Sequence, residues 1–188
     1  MLRQYSRSVV LLDQTMFVRL NKASGVFKRA YATLSSNEVV IVSAARTPVG
    51  AFNGSLKSLS ATQLGAIAAR GAIERAGLKP EQIEEAYMGN VIQANLGQSP
   101  ARQVVLGAGC PESTEATTIN KVCASGMKSI ILATQNLQLG IRSVMLAGGM
   151  ESMSNAPFYV KRGIQYGHQK LEDSIIKDGL WDVYNQFQ

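Results

Sequence analysis

A chain of 188 residues, 46% apolar and with 17 glycines, has the length and composition of one globular α/β unit with a tail. Its net charge of +6 is uneven: in residues 1–33 Arg3, Arg7, Arg19, Lys22, Lys28 and Arg29 face Asp13 alone, which leaves the remainder at only +1. That balance excludes a basic nucleic-acid surface, and no run approaches the roughly 18–20 apolar residues of a membrane span.

The first 33 residues are basic, poor in acids and carry Ser6, Ser8 and Ser24, the composition of an organelle transit peptide. A secretory signal fits less well, because Asp13 interrupts the apolar run 9–12. Arg29-Ala30-Tyr31-Ala32 resembles a mitochondrial processing site, with cleavage expected after Tyr31. The expected address is the mitochondrial matrix. Two cysteines 13 residues apart, without CxxC spacing, argue against a disulfide scaffold and fit a reducing compartment.

Past the leader, strand and helix patterns alternate. The β-branched run 38–43 predicts a strand. Over 61–76, Leu64, Ile67, Ala68 and Ala72 recur at helical spacing, and Gly77 with Pro80 closes the helix. Residues 85–93 read as a second strand. Ser99 and Pro100 supply an N-cap and a first-turn proline for a helix reaching about 108. A brief strand over 117–120 precedes a helix over 124–139, apolar on most sides and so expected to be buried. The last strand, 143–147, is closed by Gly148-Gly149. Such alternation predicts βαβ units and a largely parallel sheet. Residues 155–188 read as an irregular region with one short helix over 171–177.

The residue of most chemical interest is Cys123, set where a short strand stops and a long helix begins. A helix start points unpaired N–H groups and the positive end of the helix dipole at that position, which favours a thiolate. Small Ala124, Ser125 and Gly126 leave room for a substrate. By residue type alone, a nucleophile and a buried structural cysteine both remain open. Cys110, in Gly109-Cys110-Pro111, reads as structural, and His168, the one histidine, as a solvent-exposed loop residue. Arg46 and Arg102 read as structural salt links. Gly107-Ala108-Gly109 closes a helix and is no dinucleotide fingerprint. No cluster of ligands suggests a metal.

The string INKVCASGMK over 119–128 resembles the acyl-enzyme signature of the thiolase family. Four further blocks resemble that family in its own order: VSAARTPVGAF over 42–52, MGNV over 88–91, GQSPARQ over 97–103 and AGGMESMS over 147–154. Together they cover residues 38 to about 184, and the tail 170–185 is most similar to mitochondrial members of the family. The resemblance implies a thiolase-like α/β fold, in which two similar βαβαβαββ halves pack together. Residues 38–154 would be the N-terminal half, and residues 155–188 the beginning of an inserted, truncated loop domain, after a transit peptide over 1–33. It also implies ping-pong acyl transfer of the acetyl-CoA C-acetyltransferase type, acetoacetyl-CoA and CoA to and from two acetyl-CoA. Coenzyme A thioesters would be substrates, with no covalently bound cofactor and no metal. Cys123 would carry the acyl group and its backbone N–H would donate to the oxyanion. Met127, Met145, Met150 and Met153 would pack around the nucleophile's helix. Homo- or hetero-oligomers with thiolase subunits are the implied partners.

The family's Gly-His-Pro base and Cys-x-Gly-Gly-Gly acid/base motif do not occur in this sequence, and no residue here is assigned to coenzyme A. Trp181 and the last four residues also depart from the family pattern. The expectation is therefore a truncated chain with one of two roles: an acyltransferase polypeptide inactive alone, or a non-catalytic isoform that binds full-length thiolase subunits.

Overall fold

A strand with a continuous apolar run can be buried on both faces at once, because successive side chains point to opposite sides of the sheet, and that property organises this chain. The computed structural model describes the backbone of residues 3–13, and residues 38–163 and 166–187 in full. The expected processing site after Tyr31 lies outside the described residues. In chain order the main elements are β1 (Arg3–Asp13), β2 (Val39–Arg46), β3 (Gly50–Ala51), α1 (Ala61–Arg75), β4 (Glu85–Gly89), α2 (Pro100–Gly107), β5 (Glu115–Ile119), α3 (Ser125–Gln138), β6 (Val144–Glu151), β7 (Phe158–Tyr159) and β8 (Glu172–Asp173).

The principal sheet runs β2-β1-β6-β4-β5, with β3 paired to the start of β1. β4 is parallel to both β5 and β6, as the βαβ pattern requires. β1, from the segment read as a leader, is antiparallel to both of its neighbours, so the sheet is mixed. On β6, Met145 and Ala147 pack with Ala133 and Leu137 of α3, whereas Leu146 packs with Ala86 and Met88 of β4 against α1 and α2. The period of two thus divides the core into two layers, one on each side of the sheet. At the amino ends of the strands, Arg142 bonds Glu85 at 3.0 Å and Glu115 at 2.7 Å, tying β4 to β5.

α1 forms as its sequence predicts. Ser60 accepts from the Gln63 N–H, Gln63 returns the bond to the Ser60 N–H, and Gly77 follows in the left-handed conformation at φ +69°. Ser60→Ala removes half of this capping box, and urea unfolding is expected to show a loss of about 1 kcal/mol.

Several boundaries differ from the sequence reading, each for a local reason. Ser99 holds the N-cap position before Pro100, but at φ +44° its side chain makes no cap bond, and the Ala101 N–H donates instead to Thr118 Oγ1 at 3.0 Å. β4 ends at Gly89: the Asn90 N–H still reaches the Ile119 carbonyl of β5 at 3.0 Å, and those of Val91 and Ile92 then turn to the Glu151 carboxylate. β6 runs through Gly148 and Gly149, which stay in parallel register with Met88 and Gly89. α3 is not buried all round. Ser125, Ser129, Ala133 and Leu137 face the sheet, while Met127 is 67% and Ile131 43% exposed, because the sheet covers one side only. The late helix is displaced to a π-helix over Ile175–Leu180, since β8 takes Glu172 and Asp173 into a pair with β7. Among the described residues no helix is long and apolar enough to cross a membrane.

Candidate active site

β4, β5 and β6 point their carboxyl ends in one direction, and the strand-to-helix turn after β5 crosses that edge. Open α/β sheets bind ligands at this edge. The turn is held by its own side chains. Asn120 Oδ1 accepts the Val122 N–H at 3.0 Å. Ser125 Oγ accepts the Lys121 N–H at 2.8 Å and donates to the Val122 carbonyl at 2.6 Å. Val122 is thereby fixed at φ +47°, a left-handed conformation that a β-branched residue adopts only at a cost of about 1–3 kcal/mol. The next residue is Cys123, exposed, two positions before α3 begins. A strained elbow has put a free thiol at a helix start on the carboxyl edge.

Two neighbouring strands seat that helix start. Gly89 and Gly149 are register partners across β4 and β6. A Cβ on Gly89 would lie 2.5 Å from the Ser125 carbonyl carbon and 2.6 Å from the Gly126 nitrogen, and one on Gly149 would lie 3.2 Å from the Gly126 Cα. The backbone of α3 therefore rests directly on the sheet at its first turn. Further along β4, on the same face, Tyr87 accepts from Asn136 near the far end of α3, so the strand changes from bulky to bare towards Cys123.

Glu151, the last residue of β6, ties the adjoining loop. Its carboxylate accepts from the N–H groups of Val91 at 2.9 Å and Ile92 at 3.2 Å and from Asn90 Nδ2 at 2.9 Å. Burial pushes the carboxyl up to about 7, against three N–H donors that favour its ionised form. Asn120 reaches the same loop, its Nδ2 donating to the Val91 carbonyl at 3.5 Å.

The structure separates the other candidates from this edge. Cys110 is buried within the α1–α2 layer, and burial, with Glu81 nearby, pushes its thiol up to about 11. That fits its structural reading. His168 is exposed in the late loop region. Among the described residues Arg102 makes no carboxylate link: it donates to the carbonyls of Thr114 and Glu112, closing the loop after α2. The methionines do not gather around α3 as expected. Met145 packs beneath it, Met150 lies in the opposite layer beside Gly65, and Met127 is exposed. No group of three His, Cys, Asp or Glu among the described residues is placed to hold a metal. The sequence reading missed Gly89, Gly149 and Glu151 as supports. Their blocks resemble family blocks, but spacing alone carried no sign that the three would meet Cys123's turn.

Fold and site define a layered α/β protein with a cysteine on a strained elbow at the carboxyl edge of its sheet. The chain belongs to the thiolase family, whose N-terminal domain model matches residues 39–188. It is 63% identical over 161 residues to mitochondrial acetyl-CoA acetyltransferase of Bos taurus, covering 85% of this chain and 38% of that protein. The Homo sapiens protein of the same name is 61% identical over 182 residues, covering 96% and 42%. A crystal structure of an Ascaris suum thiolase in complex with coenzyme A matches with a TM-score of 0.75 and 47% identity, covering 77% of this chain and 38% of that one. The chain thus spans less than half the length of the relatives it matches.

Proposed function

We propose that this chain is the nucleophile-bearing part of an acetyl-CoA C-acetyltransferase, with Cys123 as the acyl carrier. The observation that supports this best is the elbow itself, which uses backbone strain at Val122 to present an exposed thiol at the start of α3. In one direction the Cys123 thiolate attacks the thioester carbon of acetyl-CoA. A new carbon–sulfur bond forms, the bond to coenzyme A breaks, and the departing thiolate takes up a proton. In the other direction it attacks the keto carbon of acetoacetyl-CoA, and the carbon–carbon bond breaks. The departing acetyl-CoA enolate then needs a proton at its α-carbon. The Cys123 N–H donates to the developing oxyanion, a role typically worth about 2.7–4 kcal/mol per donor.

Among the described residues, the second half of that cycle lacks a donor. Cys110 is buried in a separate layer, and His168 lies in the exposed loop region. The chain alone therefore takes an acyl group but does not turn over carbon–carbon bonds at a useful rate. Its setting is the mitochondrial matrix, reached through a presequence over residues 1–33 and supported by the mitochondrial names of the relatives.

A second reading has its own support. α3 leaves Met127 and Ile131 exposed, an apolar stripe that fits association with other thiolase subunits. In that reading the chain is non-catalytic and modulates assembly. The two separate on exchange of labelled coenzyme A into acetyl-CoA, a half-reaction needing only the nucleophile. The catalytic reading expects exchange by the chain at least about 100-fold above Cys123→Ser, with no acetoacetyl-CoA cleavage. Equal exchange by the two would sink it, and co-purification with full-length subunits without exchange would favour the second.

A further inference from the structure

Glu151 follows Gly149 by two positions on β6, and residues two apart on a strand share a face. A Cβ on Gly149 would meet the Gly126 Cα, so that face is the one carrying the start of α3. Glu151 therefore lies on the elbow's side of the sheet, at its carboxyl edge. A carboxylate taken out of water needs donors. This one finds them on a single stretch of chain: the N–H groups of Val91 and Ile92 and the Asn90 side-chain amide.

Residues 90–92 in turn grip the segment that leads into the elbow. The Asn90 N–H donates to the carbonyl of Ile119, the last residue of β5, at 3.0 Å. The Val91 carbonyl accepts from Asn120 Nδ2 at 3.5 Å, the weaker of the two ties. Asn120 Oδ1 then takes the Val122 N–H at 3.0 Å, beside the left-handed residue that precedes Cys123. Asn90 is buried and its Oδ1 has no partner, so its amide is oriented by what Nδ2 holds, Glu151 and the Met150 carbonyl. Polar contacts thus run unbroken from Glu151 to Val122. A strained conformation persists only where its surroundings over-determine it. The bonds within residues 120–125 shape the turn, and residues 90–92 fix where that turn sits on the sheet.

We infer that Glu151 is a positioning residue for Cys123. Its carboxylate clamps residues 90–92, and these hold residues 119–122 so that the elbow presents the thiol in one place. Glu151 acts through Asn90, Val91 and Asn120 rather than on the acyl group itself. The inference rests on the reading of Cys123 as the acyl carrier.

The test follows acetylation of Cys123 by mass spectrometry over a range of acetyl-CoA concentrations, per folded molecule of the full chain. It compares the parent with Glu151→Gln, Asn120→Ser and the double variant. Glu151→Gln keeps the side chain's shape but has one acceptor oxygen in place of two. Asn120→Ser keeps an oxygen for the Val122 N–H but has no amide to reach Val91. Each single variant should slow the saturating rate at least about 10-fold, because placement of the reacting atom is lost. The half-saturating concentration should stay within about 2-fold, since substrate binding is untouched. The double variant should be about as slow as the slower single one, both changes cutting the same path. Alkylation by iodoacetamide, which needs an exposed thiolate but no fixed orientation, should stay within about 2-fold of the parent. Acetylation of Glu151→Gln at the parental rate, losses that multiply in the double variant, or alkylation that falls in step with acetylation would each overturn the inference and leave the acyl-carrier reading standing. A folded parent chain that takes no acetyl group overturns both.

Discussion

Gly89→Ala is expected to lower stability by about 3 kcal/mol, the upper end of ordinary overpacking. The added methyl would meet the Ser125 carbonyl carbon at 2.5 Å and the Gly126 nitrogen at 2.6 Å, both backbone atoms that no rotamer change can clear. α3 must lift from the sheet at its first turn, and Cys123 moves with it. A thermal melt should drop by roughly 6–12 °C for a chain of this size. Acylation of Cys123 should slow by about 100-fold, since a displacement near 1 Å at a reacting atom carries that penalty. Gly126→Ala is the control. Its Cβ would meet Gly148 and Gly149 at 3.7–3.8 Å, ordinary contact, and alanine favours the helix. It should melt at or above the parent temperature.

Glu151 should make stability fall as pH rises. Its carboxyl is raised from 4.5 to about 7 in the fold, so between those values the folded chain binds more protons than the unfolded one. The contribution is fully present below pH 4.5, shrinks as pH climbs to about 7 and is flat above. The raised value corresponds to about 3 kcal/mol across that window. Glu151→Gln should remove this slope from denaturant midpoints measured across the window. The amide has one acceptor oxygen where the carboxylate has two, so one of the N–H groups now bonded to Glu151 loses its partner. Amide exchange at Val91 or Ile92 should accelerate at pH 6, and unchanged exchange with an unchanged slope would contradict the clamp.

Much of this was legible in the sequence because its signals are local. Gly77 and Pro80 marked the end of α1, the spacing of Leu64, Ala68 and Ala72 marked its buried side although Ile67 of the same set is exposed, and the run around Cys123 placed a thiol between a strand and a helix. The details that escaped depend on residues far apart in the chain. Glu151 follows Gly-Gly-Met and looks like a strand-end surface charge until a loop 60 residues earlier turns its N–H groups towards it. The helix over 125–138 has apolar residues on most sides, but only the sheet could decide which side is covered. Ser99 has the residue type of an N-cap, yet Thr118 of β5 takes the bond. The arginines of residues 1–33 read as a leader, while Val9, Val10, Leu11 and Leu12 suit a strand whose partners, β2 and β6, lie much later.

An elbow at Val122 that makes Cys123 an acyl acceptor should do so even without the family's remaining acid/base motifs. The direct measurement is peptide mass spectrometry after incubating the purified chain with acetyl-CoA. The expected result is one acetyl group on the peptide containing Cys123, removed by hydroxylamine as a thioester is, absent from Cys123→Ser and absent from Cys110. An unmodified Cys123 in a folded chain, or acetylation spread equally over both cysteines, would contradict it.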